Sequence, residues 1–328
     1  MIRTLSVCLM LMPLVVQAAK LDGGDYRGRE DVEKFIEDVA ASSDYSEQQL
    51  LELFSQVHHQ RHLFERMDKP AEKLKWHQYR PIFITDKRVR RGVEFWKKHA
   101  DLLHEIEQKY QVPAEIIVAI VGVETFYGAY RGKAPVFDTL VTFAFDYPKR
   151  ARFFTRELEE FLLLARENGL PVRRINGSYA GAMGMPQFIS SSYRAYAVDH
   201  DGDNKADLFD NVPDVLASVA NYFRRHGWQP GQAVAFPLSA SGSLDLAGLE
   251  ASMKPRYPWS KLAAAGFKSD ADIAADTTVA LLEFEQPDNS DYWVGLDNFY
   301  VITRYNHSPL YAMAVYQLSQ KIKAGMGR

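Results

Sequence analysis

Apolar residues recur every three or four positions through most of this chain, with polar residues between them. Leu50, Leu53, Phe54 and Val57 follow Ser46 and Gln49, a capping-box signature for a helix start. Ile116 to Val123 is an unbroken apolar run, and Pro113 stands where a first-turn proline would open its helix. Phe154, Leu158, Phe161, Leu162 and Ala165 mark a third helix that stops at Asn168-Gly169, with Pro171 beyond. A fourth runs from about Pro213 through Val215, Val219 and Phe223 to Gly227, and a last one opens at Ser308-Pro309 and repeats Tyr311, Val315, Leu318 and Ile322. Between about 231 and 305 the pattern changes. AVAFPL, TTVALLEFE and NFYVITRY are β-branched or aromatic runs, separated by turn residues such as Pro287-Asp288-Asn289-Ser290. The expected class is therefore mainly α, of α+β type, with a small β-containing insert at 231–300. Internal repeats and flexible linkers are absent, which predicts closely packed units.

The N-terminus MIRTLSVCLMLMPLVVQAAKLDGG has a basic start at Arg3, an apolar stretch from Leu5 to Val16 and small residues at Ala18 and Ala19. That pattern predicts a signal peptide over 1–18 with cleavage near Ala19, hence an exported protein; the apolar stretch is short for a membrane span. The only cysteine, Cys8, lies inside it. Leu5-Ser6-Val7-Cys8 is loosely similar to a lipobox, but the Val before the cysteine disfavours a lipid anchor. The remaining chain has no cysteine and must be stabilised by its core. Length and composition, 328 residues at 47% hydrophobic, suit one large or two modest packed units. With 39 Lys and Arg against 42 Asp and Glu, nothing points to a nucleic-acid partner.

Three stretches carry candidate chemistry. VGVETFYG at 121–128 ends the apolar run with an acid, Glu124. A carboxyl there, close to Phe126 and Tyr127, is expected to titrate high and so to donate a proton; a structural acid satisfied by a buried Arg is the competing reading. NGSYAGAMGMPQF at 176–188 places Gly177, Gly181 and Gly184 among small residues, which lets backbone approach a ligand, with Ser178 and Gln187 as hydrogen-bonding side chains. It lacks the spacing of a phosphate loop. AVDHDGDNKADLFD at 197–210 matches a calcium loop over 199–210: Asp199, Asp201 and Asp203 at positions 1, 3 and 5, the Lys205 carbonyl at 7, Asp207 at 9 and Asp210 at 12. Asn204 replaces the usual Gly at 6, and Asp replaces Glu at 12, which suggests a weak or structural site; a solvated Asp-rich turn is the alternative. His58 and His62 are four apart on what is expected to be one helix, with His59 between them, but the general-base Glu of a zinc motif is missing.

VGVETFYG, GSYAGAMGMPQF, the Asp-rich loop and TRYNHS at 303–308 together strongly resemble the lytic murein transglycosylase B family of Gram-negative bacteria, from about residue 30 to the end. The resemblance implies a lysozyme-like helical core at 76–230, an N-terminal α region at 19–75, the small β domain and a C-terminal helix at 301–328 completing the cleft. It implies that Glu124 is the single catalytic acid and base. It also implies that Ser178 and Gln187 line the cleft, and that Tyr79, Tyr222, Tyr305 and Asn306 bind glycan. The family's arginine pair after Tyr-Pro is Lys149-Arg150 here, so Arg150 carries over. The implied ion is a structural Ca²⁺, the partner is peptidoglycan glycan, with cell-wall synthesis or hydrolysis enzymes as further partners, and the location is the periplasm, as a monomer.

The implied reaction follows from one carboxyl: cleavage between N-acetylmuramic acid and N-acetylglucosamine, with the muramyl 6-hydroxyl closing a 1,6-anhydro ring. Two other readings remain at this point. A muramidase of the same fold would use water, with Asp138 or Asp146 as second carboxylate. A non-catalytic, calcium-stabilised glycan-binding protein would leave Glu124 structural.

Overall fold

In a computed structural model, residues 20–68, 71–240 and 242–327 are described. The expected signal peptide, its cleavage point and Cys8 lie outside them. No helix among the described residues is long and apolar enough to cross a membrane. The chain forms two compact units, one ending at His58 and one beginning at His59.

In the first unit, α1 (Glu30–Ser42) and α2 (Glu47–Phe54) bury Val32, Phe35, Ile36 and Val39 on one side and Leu50 and Phe54 on the other. The Phe35 and Phe54 rings are 6.0 Å apart. The predicted capping box is present: Ser46 Oγ accepts from Gln49 N at 3.2 Å, and Gln49 Oε1 accepts from Ser46 N at 3.0 Å. The helix stops at Phe54. His58 and His59 are therefore in coil and His62 in a 3₁₀ turn, Arg61–Leu63, so the helical spacing that made a zinc pair conceivable does not exist. Residues 59–75, expected with the N-terminal region, belong to the larger unit. Gln60 N donates to Thr142 Oγ1 at 2.8 Å, and Tyr147 donates its hydroxyl proton to Asp68 at 2.7 Å.

The second unit begins with α3 (Phe64–Asp68), α4 (Trp76–Phe83), α5 (Asp86–Lys98), α6 (Ala100–Tyr110) and α7 (Ala114–Thr125). A two-stranded ribbon, β1 (Ala134–Pro135) and β2 (Asn176–Gly177), brackets α8 (Val136–Asp146) and α9 (Ala151–Asn168). Next come α10 (Ser190–Tyr196) and α11 (Val212–Arg225). The sheet region holds β3 (Ala235–Ala240), β4 (Tyr257–Pro258), α12 (Trp259–Ala264), β5 (Phe267–Lys268), β6 (Thr278–Glu285) and β7 (Ser290–Gly295), before α13 (Asp297–Tyr305) and α14 (Pro309–Met326) close the unit. Helix α7 is the hub. Eleven of its twelve residues are buried, the signature of a helix apolar on every side, and α5, α6, α11 and α14 pack around it.

The antiparallel sheet has strand order β4-β6-β7-β3-β5. Val279, Leu281 and Val294 face Leu262 of α12 and Phe267 on one side. On the other, Phe284 lies 5.2 Å from Trp76 and Trp293 meets Tyr316 edge-on at 6.4 Å. Both faces are covered, which is why TVALLEFE lacks alternation. NFYVITRY, expected as a strand, is helix α13. Phe299, Ile302 and Thr303 share a buried side at spacings of three and four, and packing against α14 overrides the β-branched propensity. The strand in that region is DYWVG, which pairs with β6 from Ala280↔Gly295 to Glu285↔Ser290.

Candidate active site

Glu124 is the one residue of α7 that is not fully buried. The helix ends immediately after it, because Phe126 and Tyr127 take left-handed conformations at φ +52° and +60°. Such values are costly for large side chains and persist where the surroundings enforce them. Here Tyr127 N bonds to Val121 O at 3.1 Å, while its hydroxyl reaches Arg88 O at 2.8 Å. Among the described residues no cation pairs with Glu124. Tyr311 donates to its Oε1 at 2.5 Å. Burial pushes the carboxyl up to about 7; the Tyr311 hydrogen bond offsets part of this, and the charge of Glu72 adds to it. The first-turn acid of the same helix, Glu115, instead accepts from Lys323 Nζ at 2.7 Å. The helix thus carries a paired structural acid at one end and an acid prepared to give up a proton at the other.

The wall facing Glu124 comes from the junction of α13 and α14. Ser308 caps α14 by accepting from Tyr311 N at 3.3 Å, which fixes the turn carrying the Tyr311 hydroxyl. Burial and the neighbouring Glu124 carboxyl raise the Tyr305 and Tyr311 phenols well above the ordinary value, so both remain donors. Tyr305 donates to Pro186 O at 2.7 Å and Tyr222 to Arg304 O at 2.5 Å; their rings are 4.8 Å apart. These two hydroxyls fasten the wall together. Tyr79, on α4, is fully buried. Burial, and then the charges of Glu72 and Glu124, raise its phenol well above the ordinary value.

The glycine-bearing stretch is tied to the helix end. Thr125 Oγ1 donates to Met185 O at 2.8 Å and accepts from Gly128 N at 3.0 Å. Ser178 Oγ accepts from the amides of Ala180 and Ala182 at 3.2 and 3.0 Å. With Tyr179, Arg66, Lys133 and His62 it lines a cavity of 410 Å³. Gln187, at φ +53°, donates to Gly184 O at 2.9 Å and to Arg131 O at 3.3 Å. Arg150 is elsewhere: it stacks over Phe153 at 4.3 Å in a groove lined by 148–159, which includes none of these residues.

In the Asp-rich loop, the carboxylates of Asp199, Asp201 and Asp203 converge within 4.8 Å. Asn204 holds the predicted left-handed conformation at φ +70°. Asp199 accepts from the amides of Gly202 and Asn204 at 2.7 and 2.8 Å, and Asp203 from that of Lys205 at 2.9 Å. Asp210 does not join them; it accepts from Arg131 Nη1 at 2.8 Å. Asp214, outside the cluster, accepts from the amides of His200 and Asp207 at 2.7 and 2.8 Å. Burial raises its carboxyl above the usual range, helped by the charges of Asp201 and Asp199. Three converging carboxylates form a hard oxygen donor set that suits Ca²⁺.

Neither acid suggested as a second carboxylate faces Glu124. Asp138 is buried in an ion pair with Arg173, and Asp146 pairs with Arg61 at 3.0 Å. Two groups that act on the Glu124 carboxyl escaped the motif reading. Tyr311 reads in sequence as one more apolar repeat of α14. Glu72 lies in a short charged stretch without a pattern.

The chain matches the family described as Transglycosylase SLT domain over residues 27–320. It is 42% identical over 310 residues to the membrane-bound lytic murein transglycosylase B of Escherichia coli strain K12, covering 92% of this chain and 84% of that one. Among solved structures, the catenated lytic transglycosylase SltB1 of Pseudomonas aeruginosa has a TM-score of 0.86 at 44% identity, covering 92% of this chain and 100% of the other. The Escherichia coli lytic transglycosylase Slt35 in complex with calcium has a TM-score of 0.87 at 41% identity, covering 93% and 96%.

Proposed function

We propose, from the premise that this chain belongs to the transglycosylase SLT family, that Glu124 alone performs both proton transfers of its reaction. The protein is a peptidoglycan lytic transglycosylase with a lysozyme-like helical core, cleaving the MurNAc–GlcNAc β-1,4 bond to leave 1,6-anhydromuramic acid ends. The carrying observation is a carboxyl pushed up to about 7 by burial, with one phenol as donor and no paired cation among the described residues.

Protonated Glu124 gives its proton to the glycosidic oxygen as the bond from the muramyl anomeric carbon to that oxygen breaks, the electron pair leaving with the oxygen. Tyr311 holds the resulting carboxylate in place by its hydrogen bond. Glu124 then takes the proton of the muramyl 6-hydroxyl while that oxygen bonds to the anomeric carbon. The tethered hydroxyl acts at high effective concentration, and Glu124 ends protonated as it began. No water enters the product. Ser178, Gln187 and Asn306 supply polar contacts along the cleft, Tyr222 and Tyr305 its aromatic wall, the fully buried Tyr79 backs that wall, and Arg150 reaches only substrate parts distant from the scissile bond.

Fragments released from purified peptidoglycan should be lighter by one water than hydrolytic ones, resist borohydride, and carry no label when made in H₂¹⁸O. Reducible, ¹⁸O-labelled products would overturn the single-carboxyl assignment.

Asp199, Asp201 and Asp203 are assigned to a structural Ca²⁺, with Lys205 contributing its backbone carbonyl and Asp210 the position-12 carboxylate once it leaves Arg131. At the weak end of such loops, about 10⁻⁴ to 10⁻³ M, raising free Ca²⁺ to about 10 mM should add on the order of 1.4 to 2.7 kcal/mol by mass action. The melting temperature should therefore rise with calcium and fall with chelator, and Asp201→Ala should abolish the difference. Identical melts in both conditions would reduce the loop to a solvated turn. A periplasmic location and monomeric action on glycan strands complete the reading.

A further inference from the structure

The 410 Å³ cavity beside Ser178 carries one sign of charge. The 3₁₀ turn Arg61–Leu63 and α3 contribute His62 and Arg66 to its lining, and the ends of the β1–β2 ribbon contribute Lys133, Ser178 and Tyr179. The ribbon's register, Ala134↔Gly177, brings Lys133 alongside Ser178. The approach there is tight, since a Cβ on Gly132 would lie 2.7 Å from Ser178 N. No carboxylate lines the cavity, in a chain whose formal net charge is -3. Arg66 and Lys133 make no hydrogen bond or ion pair among the described residues. Asp68, two positions beyond Arg66, is taken up by the Tyr147 hydroxyl and by Lys149 Nζ, both at 2.7 Å. Ser178 Oγ accepts from the amides of Ala180 and Ala182, which leaves its own proton to give. The Tyr179 phenol is raised by burial and then by the charge of Glu72, with Arg66 opposing, so it too keeps a proton to donate. Two unpaired cations and two hydroxyl donors around one space are the complement of an anion.

We propose that this cavity seats an acidic peptide arm of the substrate, with Arg66 and Lys133 holding its carboxylates and the Ser178 and Tyr179 hydroxyls donating to its oxygens. The proposal rests on the reading of the protein as a peptidoglycan lytic transglycosylase with Ser178 in its cleft. Thr125 Oγ1 donates to Met185 O at 2.8 Å, so the glycine-bearing stretch that lines the cavity is fastened to the helix end carrying Glu124. The volume decides between two sources of negative charge. A carboxylate carried directly on the muramyl ring would meet one cation and fill a small part of 410 Å³. That volume is within the range of small-ligand clefts, and a peptide of several residues, with carboxylates at separate points, uses both cations. Arg66 and Lys133 therefore set substrate preference and leave the proton transfers to Glu124. Contacts made alike in the ground state and the transition state appear in KM.

Three forms of one glycan test this: with its peptide arms, stripped of them so that the muramyl carboxyls are free, and stripped with those carboxyls amidated. The parent should show its lowest KM on the first. With Arg66→Gln and Lys133→Gln combined, the ratio of kcat/KM for arm-bearing over amidated glycan should fall about five- to twentyfold, through KM, given about two- to fivefold for each solvent-accessible pair. Added salt should shrink the parental preference in the same direction. Arg66→Lys combined with Lys133→Arg keeps both charges and should keep most of the preference, which separates charge from packing. A ratio unchanged in the glutamine variant, or equal parental KM on arm-bearing and amidated glycan, would overturn the proposal. A lower parental KM on free muramyl carboxyls than on peptide arms would overturn it as well, and assign the cavity to the sugar's own acid. Failure of the parent to release anhydro fragments from any of the three would instead overturn the reaction on which the proposal rests.

Discussion

Glu124→Gln should release soluble fragments from peptidoglycan at a rate lower by at least about 10² to 10⁴, the range for general acid–base catalysis, while melting higher than the parent above pH 7. The first effect follows because the amide can neither give nor retrieve a proton. The second follows from the sign of the pKa shift. The native carboxyl titrates near 7, raised by burial and Glu72, against 4.5 for the free group. The folded protein therefore holds this proton more tightly than the unfolded chain. That contribution is fully present below about 4.5, declines as pH rises, and is gone above about 7, where the native state must bury a charge. A neutral amide of the same shape escapes the penalty. The full shift would correspond to about 3 kcal/mol; partial exposure of the residue reduces the expected gain to about 1 to 2 kcal/mol. Melts of both proteins at pH 5 and pH 8 test this. The gap should open at pH 8, and a gap independent of pH would contradict the raised carboxyl.

Gly132→Ala should be among the most damaging single-methyl changes in the larger unit. Gly132 has φ +88°, and an added Cβ would lie 1.9 Å from Gly177 O and 2.7 Å from Ser178 N. Those backbone atoms have little room to retreat. Gly177 pairs with Ala134 in the β1–β2 ribbon, and a Cβ on Gly177 would itself meet Ala182 O at 2.2 Å. Strain of this kind is relieved by separating the two strands, with a loss on the order of 3 kcal/mol or more. Ser178 would be displaced with them, so activity should fall even in the fraction that folds. Gly169→Ala is the control. It also has a positive φ, +62°, but nothing within 4 Å, and should cost only about 1 to 2 kcal/mol. Equal melting temperatures for the two variants would show that the ribbon yields.

The helical body was readable because local signals agreed with the tertiary structure. Ser46 caps α2, Gly169 ends α9 at φ +62°, and Ser308-Pro309 opens α14. Glu124 stood out because an acid ending an unbroken apolar run has few places to go. The class, the family and the reaction followed from motifs that the structural and family matches bear out. What escaped was non-local. NFYVITRY is β-branched by composition, and only the partner helix α14 decides that it coils. The position of Asp210 apart from the three converging carboxylates cannot be read by counting to twelve, because it is drawn to Arg131, 79 residues away. Glu72 meets the α13–α14 junction through Asn306, 234 residues later.

The hydrogen bond from Tyr311 to Glu124 spans 187 residues of chain, and this governs when the catalyst comes into existence. Helix α7 and the glycine-bearing stretch can associate early, through contacts such as Thr125 to Met185. The last wall of the site comes from α14, which follows the β3–β7 sheet in the chain. Contacts of such sequence separation form late and slowly, since the loop they close must be ordered first. A chain that ends before Pro309 therefore keeps Glu124 but lacks the phenol that bonds it, because the two sides of the site come from opposite ends of the larger unit.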